Sequence, residues 1–173
     1  VLEGDIKAGS EGRLVDVPGT YSLEDGNDAE SLASEMVDEA DRVINVIDAT
    51  NLERNLGLTF ELMQKEKPMM VVLNMWDEAL KKDISISPER LSELLGVPVV
   101  TTVASRGEGI ESILDSLEEI SVPETPEKDR WEWAENTARY VSEPSEDEVS
   151  TQQHKEVVKK TVVAPKKSVY KGY

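Results

Sequence analysis

Three short groups of polar and small residues each follow a run of β-branched or aliphatic residues. In an open parallel sheet, ligands bind in the crevice at the carboxyl ends of the strands. The intervals between the groups correspond to one or two helix–strand units, so the sequence predicts that all three meet at one sheet edge. The groups are Asp16-Val17-Pro18-Gly19, Asn74-Met75-Trp76-Asp77 and Val103-Ala104-Ser105-Arg106-Gly107.

The first group has residues suited to a magnesium ion and a phosphate. A carboxylate at Asp16 can hold Mg²⁺ through water, and Gly19 lets its bare backbone N–H approach a phosphate because it has no Cβ. Any strand that ends in a turn produces a similar pattern. Alone, this group is therefore a weak indication of function.

The other two groups have residues suited to a purine base. A carboxylate at Asp77 can accept two N–H donors from the edge of guanine, which adenine does not offer, and the Asn74 amide can tie neighbouring loops together. Small residues at Ala104 and Ser105 leave backbone N–H groups free to reach a purine oxygen. Each group in isolation is also typical of turns and helix caps, so the order and spacing of all three carry the hypothesis.

The elements that must position these groups alternate between strands and helices, which predicts an α/β fold with a parallel sheet and helices on both faces. The run at 69–73 is almost wholly apolar and is predicted as the central strand. Proline at 123 and 126 marks a linker after the last helix of the sheet. Predicted strands are 13–17, 43–48, 69–73 and 97–102, and predicted helices are 28–41, 52–64, 89–95, 109–120 and 130–142.

Composition restricts the function classes. The 173 residues contain no Cys and carry a net charge of −17, so disulfide and thiolate metal sites are excluded. Acidic residues dominate 1–150, whereas 151–173 are net basic. Such an acidic body repels polyanions, so we expect no nucleic-acid partner. No apolar run approaches the roughly 20 residues that cross a bilayer.

Longer strings around the three groups resemble the G domain of FeoB-type ferrous iron transporters, which are Ras-like P-loop GTPases. The resemblance covers roughly residues 13 to 120, and the run Asn51-Leu52-Glu53-Arg54-Asn55-Leu56 is its most specific part. The strings are Val15 to Leu23, Val46 to Leu56, Leu73 to Ala79, Leu95 to Val100 and Arg106 to Ile110.

The resemblance implies a role for each group. Asp16 would contact Mg²⁺ through water and Gly19 would meet the γ-phosphate of GTP. Asn74 and Asp77 would read the guanine of GTP or GDP, supported by Ala104 and Ser105. Position 20, where many Ras-like GTPases have a water-positioning Gln, is Thr20, so slow hydrolysis is expected and no catalytic residue is assigned.

The sequence also departs from the family pattern. It contains no Gly-x-x-x-x-Gly-Lys-Ser/Thr run, which is the loop that grips the β- and γ-phosphates, and we expect the first strand of the fold to be missing with it. We therefore expect the isolated chain to bind GTP weakly. Whether it is itself an enzyme stays open at this point.

The expected organisation has three parts. Residues 1–122 are predicted as a partial G domain, 123–145 as a linker and the start of a helical region, and 146–173 as a basic tail for which disorder is one interpretation. The resemblance implies a parent with a membrane transport domain, so that this part would lie in the cytoplasm at the inner face of the cell membrane.

Two alternative functions remain. One is another Ras-like GTPase acting in ribosome assembly or tRNA modification, and the other is a noncatalytic interaction module or gene fragment.

Overall fold

The computed structural model describes residues 2–6, 12–20, 22–23, 28–126 and 129–142. All of them belong to one compact unit, Val1–Ser142. Five strands and six α-helices follow one another in the described chain. In order they are β1 Leu2–Ile6, β2 Gly12–Asp16, α1 Asp28–Glu39, β3 Val43–Asp48, α2 Leu52–Met63, β4 Met69–Asn74, α3 Trp76–Lys81, α4 Pro88–Leu95, β5 Val99–Thr101, α5 Ile110–Ser116 and α6 Arg130–Ser142.

Three parallel strands form the main sheet, in the order β3-β4-β5. β4 lies in the centre, as predicted, and its residues 69–73 are all buried. The register pairs Val43 with Met69 on one side and Val71 with Val99 on the other. β5 is shorter than the predicted strand at 97–102, because Pro98 cannot donate a backbone hydrogen bond to a sheet.

Helices cover both faces of this sheet, as predicted. Alternate residues of β4 point to opposite faces, so that Val71 and Leu73 join a core with α2, α4 and α6. Met70 and Val72 pack on the other face against Leu117 and the apolar side of α5. Complete burial of each such side chain contributes about 1.5–3 kcal/mol. β4 is therefore the most completely buried strand of the main sheet.

β1 and β2 form a separate antiparallel hairpin, with Leu2 opposite Asp16 and Ile6 opposite Gly12. The predicted strand at 13–17 is thus observed as Gly12–Asp16. Among the described strands it pairs with β1, which was not predicted, and not with the main sheet. β1 and β2 run antiparallel because their connection is short: parallel neighbours need a crossover of a dozen or more residues, whereas antiparallel neighbours can be joined directly.

Local signals set the boundaries of α4. The Ser87 side chain accepts a hydrogen bond from the Arg90 N–H, Pro88 occupies the first turn, and Gly96 ends the helix in the left-handed conformation. These are the N-cap, first-turn and C-cap preferences of the three residue types. The helix therefore begins and ends almost where the sequence predicts.

α6 packs against α2 and has the predicted boundaries. Trp133 is buried, and its ring lies 5.5 Å from that of Phe60. The Trp131 ring touches the bare face of α2 at Gly57, where an added Cβ would be 3.6 Å away. None of the described helices is both long and apolar enough to span a membrane. The predicted tail at 146–173 lies outside the described residues.

Candidate functional site

The carboxyl ends of β4 and β5 bring two of the predicted groups together. Asn74 is the last residue of β4, and Asp77 lies in the first turn of α3. Met75 joins them in the left-handed conformation, with φ 58° and ψ 33°, which costs energy for a residue with a side chain. Ala104, Ser105 and Arg106 form a single 3₁₀ turn after β5.

The Asn74 side chain ties the two strand ends to each other. Its Oδ1 accepts a hydrogen bond from the Thr102 Oγ1, 3.1 Å away, and another from the Ala104 N–H, also 3.1 Å away. The Trp76 N–H donates to the Thr102 carbonyl oxygen at 3.2 Å. The loop-tying contact predicted for the Asn74 amide is therefore present, and it holds Ala104 beside the start of α3.

The Asp77 carboxylate is surrounded by positive charge. Its Oδ2 accepts from the Arg106 guanidinium and lies 3.3 Å from the Lys81 Nζ. Partial burial acts to raise the pKa of Asp77, but the hydrogen bond from Lys81 and the charges of Arg106 and Lys81 outweigh it, so the pKa lies below its ordinary 3.8. Asp77 is therefore ionised at neutral pH and can act only as an acceptor.

Gly109 permits the close packing of the loop after β5. Its φ is +83°, and a Cβ at this position would lie 2.2 Å from the Thr101 carbonyl oxygen. Only glycine fits both this conformation and this approach. The loop that carries Ala104 and Ser105 is thus pressed onto the end of β5.

The phosphate-side residues are placed differently. Asp16 ends β2 with an exposed side chain, and Gly19 is exposed in the following loop. Within the described residues, no hydrogen bond or ion pair joins Asp16 or Gly19 to the group around Asn74. The structure therefore joins Asn74, Asp77 and Ala104 in one cluster but does not join the first predicted group to it by such bonds.

Glu61 on α2 anchors the loop that follows Gly19, and sequence reasoning missed it. Its carboxylate is 4% exposed and forms an ion pair with Arg130 at the start of α6. It also accepts from the Ser22 hydroxyl at 3.1 and 3.2 Å and from the Leu23 N–H. The available signal was an acidic residue directly followed by the apolar pair Leu62 and Met63 in a helix.

Arg106 was also missed as a candidate site residue, although it stands inside the third group.

The magnesium prediction for Asp16 depends on ligands other than protein side chains. In the described part of the chain, no three His, Cys, Asp or Glu side chains are grouped to hold a metal ion. Mg²⁺ is commonly bound by one carboxylate together with waters and substrate phosphates. A lone Asp16 thus fits Mg²⁺ only when a phosphate shares the ion.

Sequence comparisons identify the relatives of this chain. A family model described as ferrous iron transport protein B matches residues 2–117. The Fe(2+) transporter FeoB of Helicobacter pylori (strain J99) is 37% identical over 142 residues, covering 73% of this chain and 22% of the transporter. FeoB of Escherichia coli (strain K12) is 42% identical over 120 residues, covering 66% of this chain and 16% of the transporter.

This chain belongs to the ferrous iron transport protein B family.

Solved FeoB structures place the match in the G domain. The cytosolic domain of L. pneumophila FeoB superposes with a TM-score of 0.69 at 36% identity, covering 73% of this chain and 52% of that one. The FeoB G-domain from Methanococcus jannaschii gives 0.65 at 35% identity, covering 68% and 77%. The cytosolic domain of T. maritima FeoB in its GMPPNP form gives 0.64 at 35% identity, covering 68% and 49%.

The predicted fold class, a P-loop-GTPase-like α/β domain, is confirmed by these FeoB structures and by the parallel sheet. The predicted resemblance to FeoB is likewise confirmed. The chain spans about a fifth of the length of the curated FeoB transporters that it matches.

Proposed function

We propose that this chain is the guanine-nucleotide-binding part of a GTPase domain that regulates ferrous iron transport across the cytoplasmic membrane. Family membership supports the general assignment. The observation that carries the nucleotide site is the Asn74 side chain, which holds the Ala104 loop beside the helix turn that bears Asp77. The two loops that would hold a purine are thereby kept side by side.

The base-reading end comprises Asn74, Asp77, Ala104 and Ser105. The ionised Asp77 carboxylate offers acceptor oxygens to the N1–H and the 2-amino group of guanine. The exposed 3₁₀ turn offers the backbone and side chains of Ala104 and Ser105 to the purine oxygen and ring face. Adenine presents no matching pair of donors to Asp77, so this end favours guanine.

The phosphate-side end comprises Asp16 and Gly19. Asp16 would hold Mg²⁺ through water, and the Gly19 N–H would meet the γ-phosphate. The Thr20 hydroxyl donates its single proton to the Ser22 carbonyl oxygen at 2.6 Å, so it has no second donor with which to position water as a glutamine amide does. We therefore expect slow hydrolysis by this route.

Partners follow from the family and from the charge. The membrane transport domain of a FeoB parent is the expected protein partner, with the G domain at the inner face of the membrane. The net charge of −17 argues against a nucleic-acid partner. A ribosome-assembly or tRNA-modifying GTPase is set aside, because the chain belongs to the FeoB family.

A noncatalytic interaction module is the second candidate. It is favoured by the separate β1–β2 hairpin, which shares no strand pairing with the main sheet, and by the lack of a Gly-x-x-x-x-Gly-Lys-Ser/Thr run. Such a module would fold without nucleotide and show no preference among nucleotides.

Calorimetric titration in magnesium discriminates between the two candidates. We expect GDP to bind the 173-residue chain more weakly than micromolar, since most affinity for a phosphorylated nucleotide comes from phosphate contacts, and we expect ADP to bind less than GDP. Equal binding of GDP and ADP would favour the noncatalytic module. Micromolar affinity would show that the phosphate loop matters less than we propose.

A further inference from the structure

The Asp77 carboxylate, proposed above to read guanine, already has a partner in this structure. Its Oδ2 accepts from the Arg106 guanidinium and is approached by the Lys81 Nζ at 3.3 Å. Arg106 also lies 3.3 Å from the Glu108 Oε1. The Asp77 Oδ2 thus faces two cations, Arg106 and Lys81. Only Arg106 comes from the 3₁₀ turn that carries Ala104 and Ser105.

We propose that Arg106 is a latch on Asp77 that a guanine base must displace. The proposal rests on the proposed function, because it assumes that Asp77 receives the base. In the nucleotide-free chain the guanidinium occupies an oxygen that the base donors need. Binding therefore exchanges one set of donors for another, and Arg106 sets part of the affinity for guanine.

Arg106 reaches Asp77 from the loop that would hold the base. It ends the 3₁₀ turn that begins at Ala104, whose N–H is fixed by Asn74. Lys81 instead approaches from one helical turn further along α3. A base seated between Asp77 and Ala104 therefore competes with Arg106, whereas Lys81 can stay where it is.

The latch can open because Arg106 is held lightly. Its side chain is 51% exposed, and Gly107 directly after it adopts φ +71°. Exposed ion pairs of this kind contribute little free energy, because water and salt screen them. We therefore expect a modest effect of the latch, which salt reduces.

Arg106→Met tests the latch. Guanosine is the probe, because it carries no phosphate whose binding would itself change when the positive charge of Arg106 is removed. In NMR titrations of the full chain at low salt, we expect Arg106→Met to bind guanosine about two- to fivefold more tightly than wild type. The ratio should approach one in roughly 1 M salt. The control is Arg90→Met, which removes the same charge from α4, where Arg90 lies 4.1 Å over the Tyr140 ring, and it should leave guanosine affinity unchanged.

Two further outcomes separate the latch from the proposed function. Guanosine binding that is unchanged or weakened in Arg106→Met would overturn the latch while leaving the guanine site in place. Failure of guanosine to bind either protein at millimolar concentration would remove the guanine site and the latch with it. The ion pair itself is checked by the pKa of Asp77 followed by ¹³C NMR, which must rise in Arg106→Met; an unchanged pKa would also overturn the latch.

Discussion

The base-reading end and the phosphate-side end of the proposed site rest on different supports. Asn74 and Ala104 extend directly from neighbouring strands of the main sheet and are hydrogen-bonded to each other. Asp16 and Gly19 follow a hairpin strand outside that sheet. The loop after Gly19 is tied to the body of the domain through the Glu61 carboxylate on α2.

The two ends therefore depend on different parts of the molecule. The base-reading end is fixed by strand pairing, by the two hydrogen bonds that the Asn74 side chain accepts, and by the close packing of Gly109. The phosphate-side end depends on a buried side-chain ion pair, which can be removed without changing any strand. Substitutions can therefore loosen one end while leaving the other in place.

The largest expected effect is that of Arg130→Met, which acts on the phosphate-side end. It leaves the buried Glu61 carboxylate without its cation, and the loss of one partner of a buried pair costs about 3 kcal/mol. Urea denaturation should show this loss. Hydrogen exchange should quicken at the Leu23 amide, which Glu61 holds, while the Ala104 amide keeps its protection.

Arg139→Met on the same helix is the matched control. Arg139 is exposed and donates to the Asn136 Oδ1 at 2.6 Å, so its loss should change stability by less than about 0.5 kcal/mol. Equal effects of the two substitutions would mean that Glu61 does not anchor the loop.

Gly109→Ala is expected to have the next largest effect, at the base-reading end. The added Cβ would meet the Thr101 carbonyl oxygen at 2.2 Å, and overpacking of this kind costs about 2 kcal/mol. Gly107 also has a positive φ, but a Cβ at this position would meet nothing within 4 Å. We therefore expect Gly107→Ala to lower the free energy of unfolding by about 1 kcal/mol, from backbone conformation alone. Thermal denaturation of both variants should give this order, and the reverse order would contradict the packing at β5.

Asn74→Ala tests the tie within the base-reading end. It removes the acceptor of the Thr102 hydroxyl and the Ala104 N–H, and we expect a loss of about 1–2 kcal/mol in urea denaturation. Thr102→Val removes one of these two hydrogen bonds and should cost less. If Thr102→Val costs as much as Asn74→Ala, the bond from Asn74 to Ala104 contributes nothing.

The smallest expected effect is the pH dependence of the Asp77 cluster. The pKa of Asp77 is lowered from 3.8, so its carboxylate stabilises the fold above that pH, and this contribution is lost as the pH falls through the folded-state pKa. Hydrogen bonds from Lys81 to Glu78 and Asp77 raise the pKa of Lys81 above 10.5, so its contribution is present below that pH and is lost above it. Melting curves of Asp77→Asn and wild type should converge in acid; a constant difference down to pH 2 would contradict this.

Local signals in the sequence were enough to predict β4, α4 and α6. The apolar run of β4 and the cap residues of α4 lie within or next to the elements that they define, and α6 follows the linker that Pro123 and Pro126 mark. The order of the three polar groups likewise predicted that Asn74 and Ala104 would meet, because adjacent parallel strands end at the same sheet edge.

Features that depend on distant partners could not be predicted in this way. The Glu61–Arg130 pair joins two helices far apart in the chain, and the apolar residues that follow Glu61 do not identify its partner. β1 pairs with β2 through a hairpin that the alternating pattern did not reveal. α3 was not predicted, because it is short and begins after a residue in the left-handed conformation, Met75.

The base preference of Asp77→Asn tests whether Asp77 reads guanine. Xanthine carries an oxygen where guanine has its 2-amino group, so an Asn amide, which can donate, should pair with it. Titrating guanosine and xanthosine into both proteins by NMR, we predict that wild type prefers guanosine and Asp77→Asn prefers xanthosine. An unchanged preference for guanosine in Asp77→Asn would show that Asp77 does not contact the base.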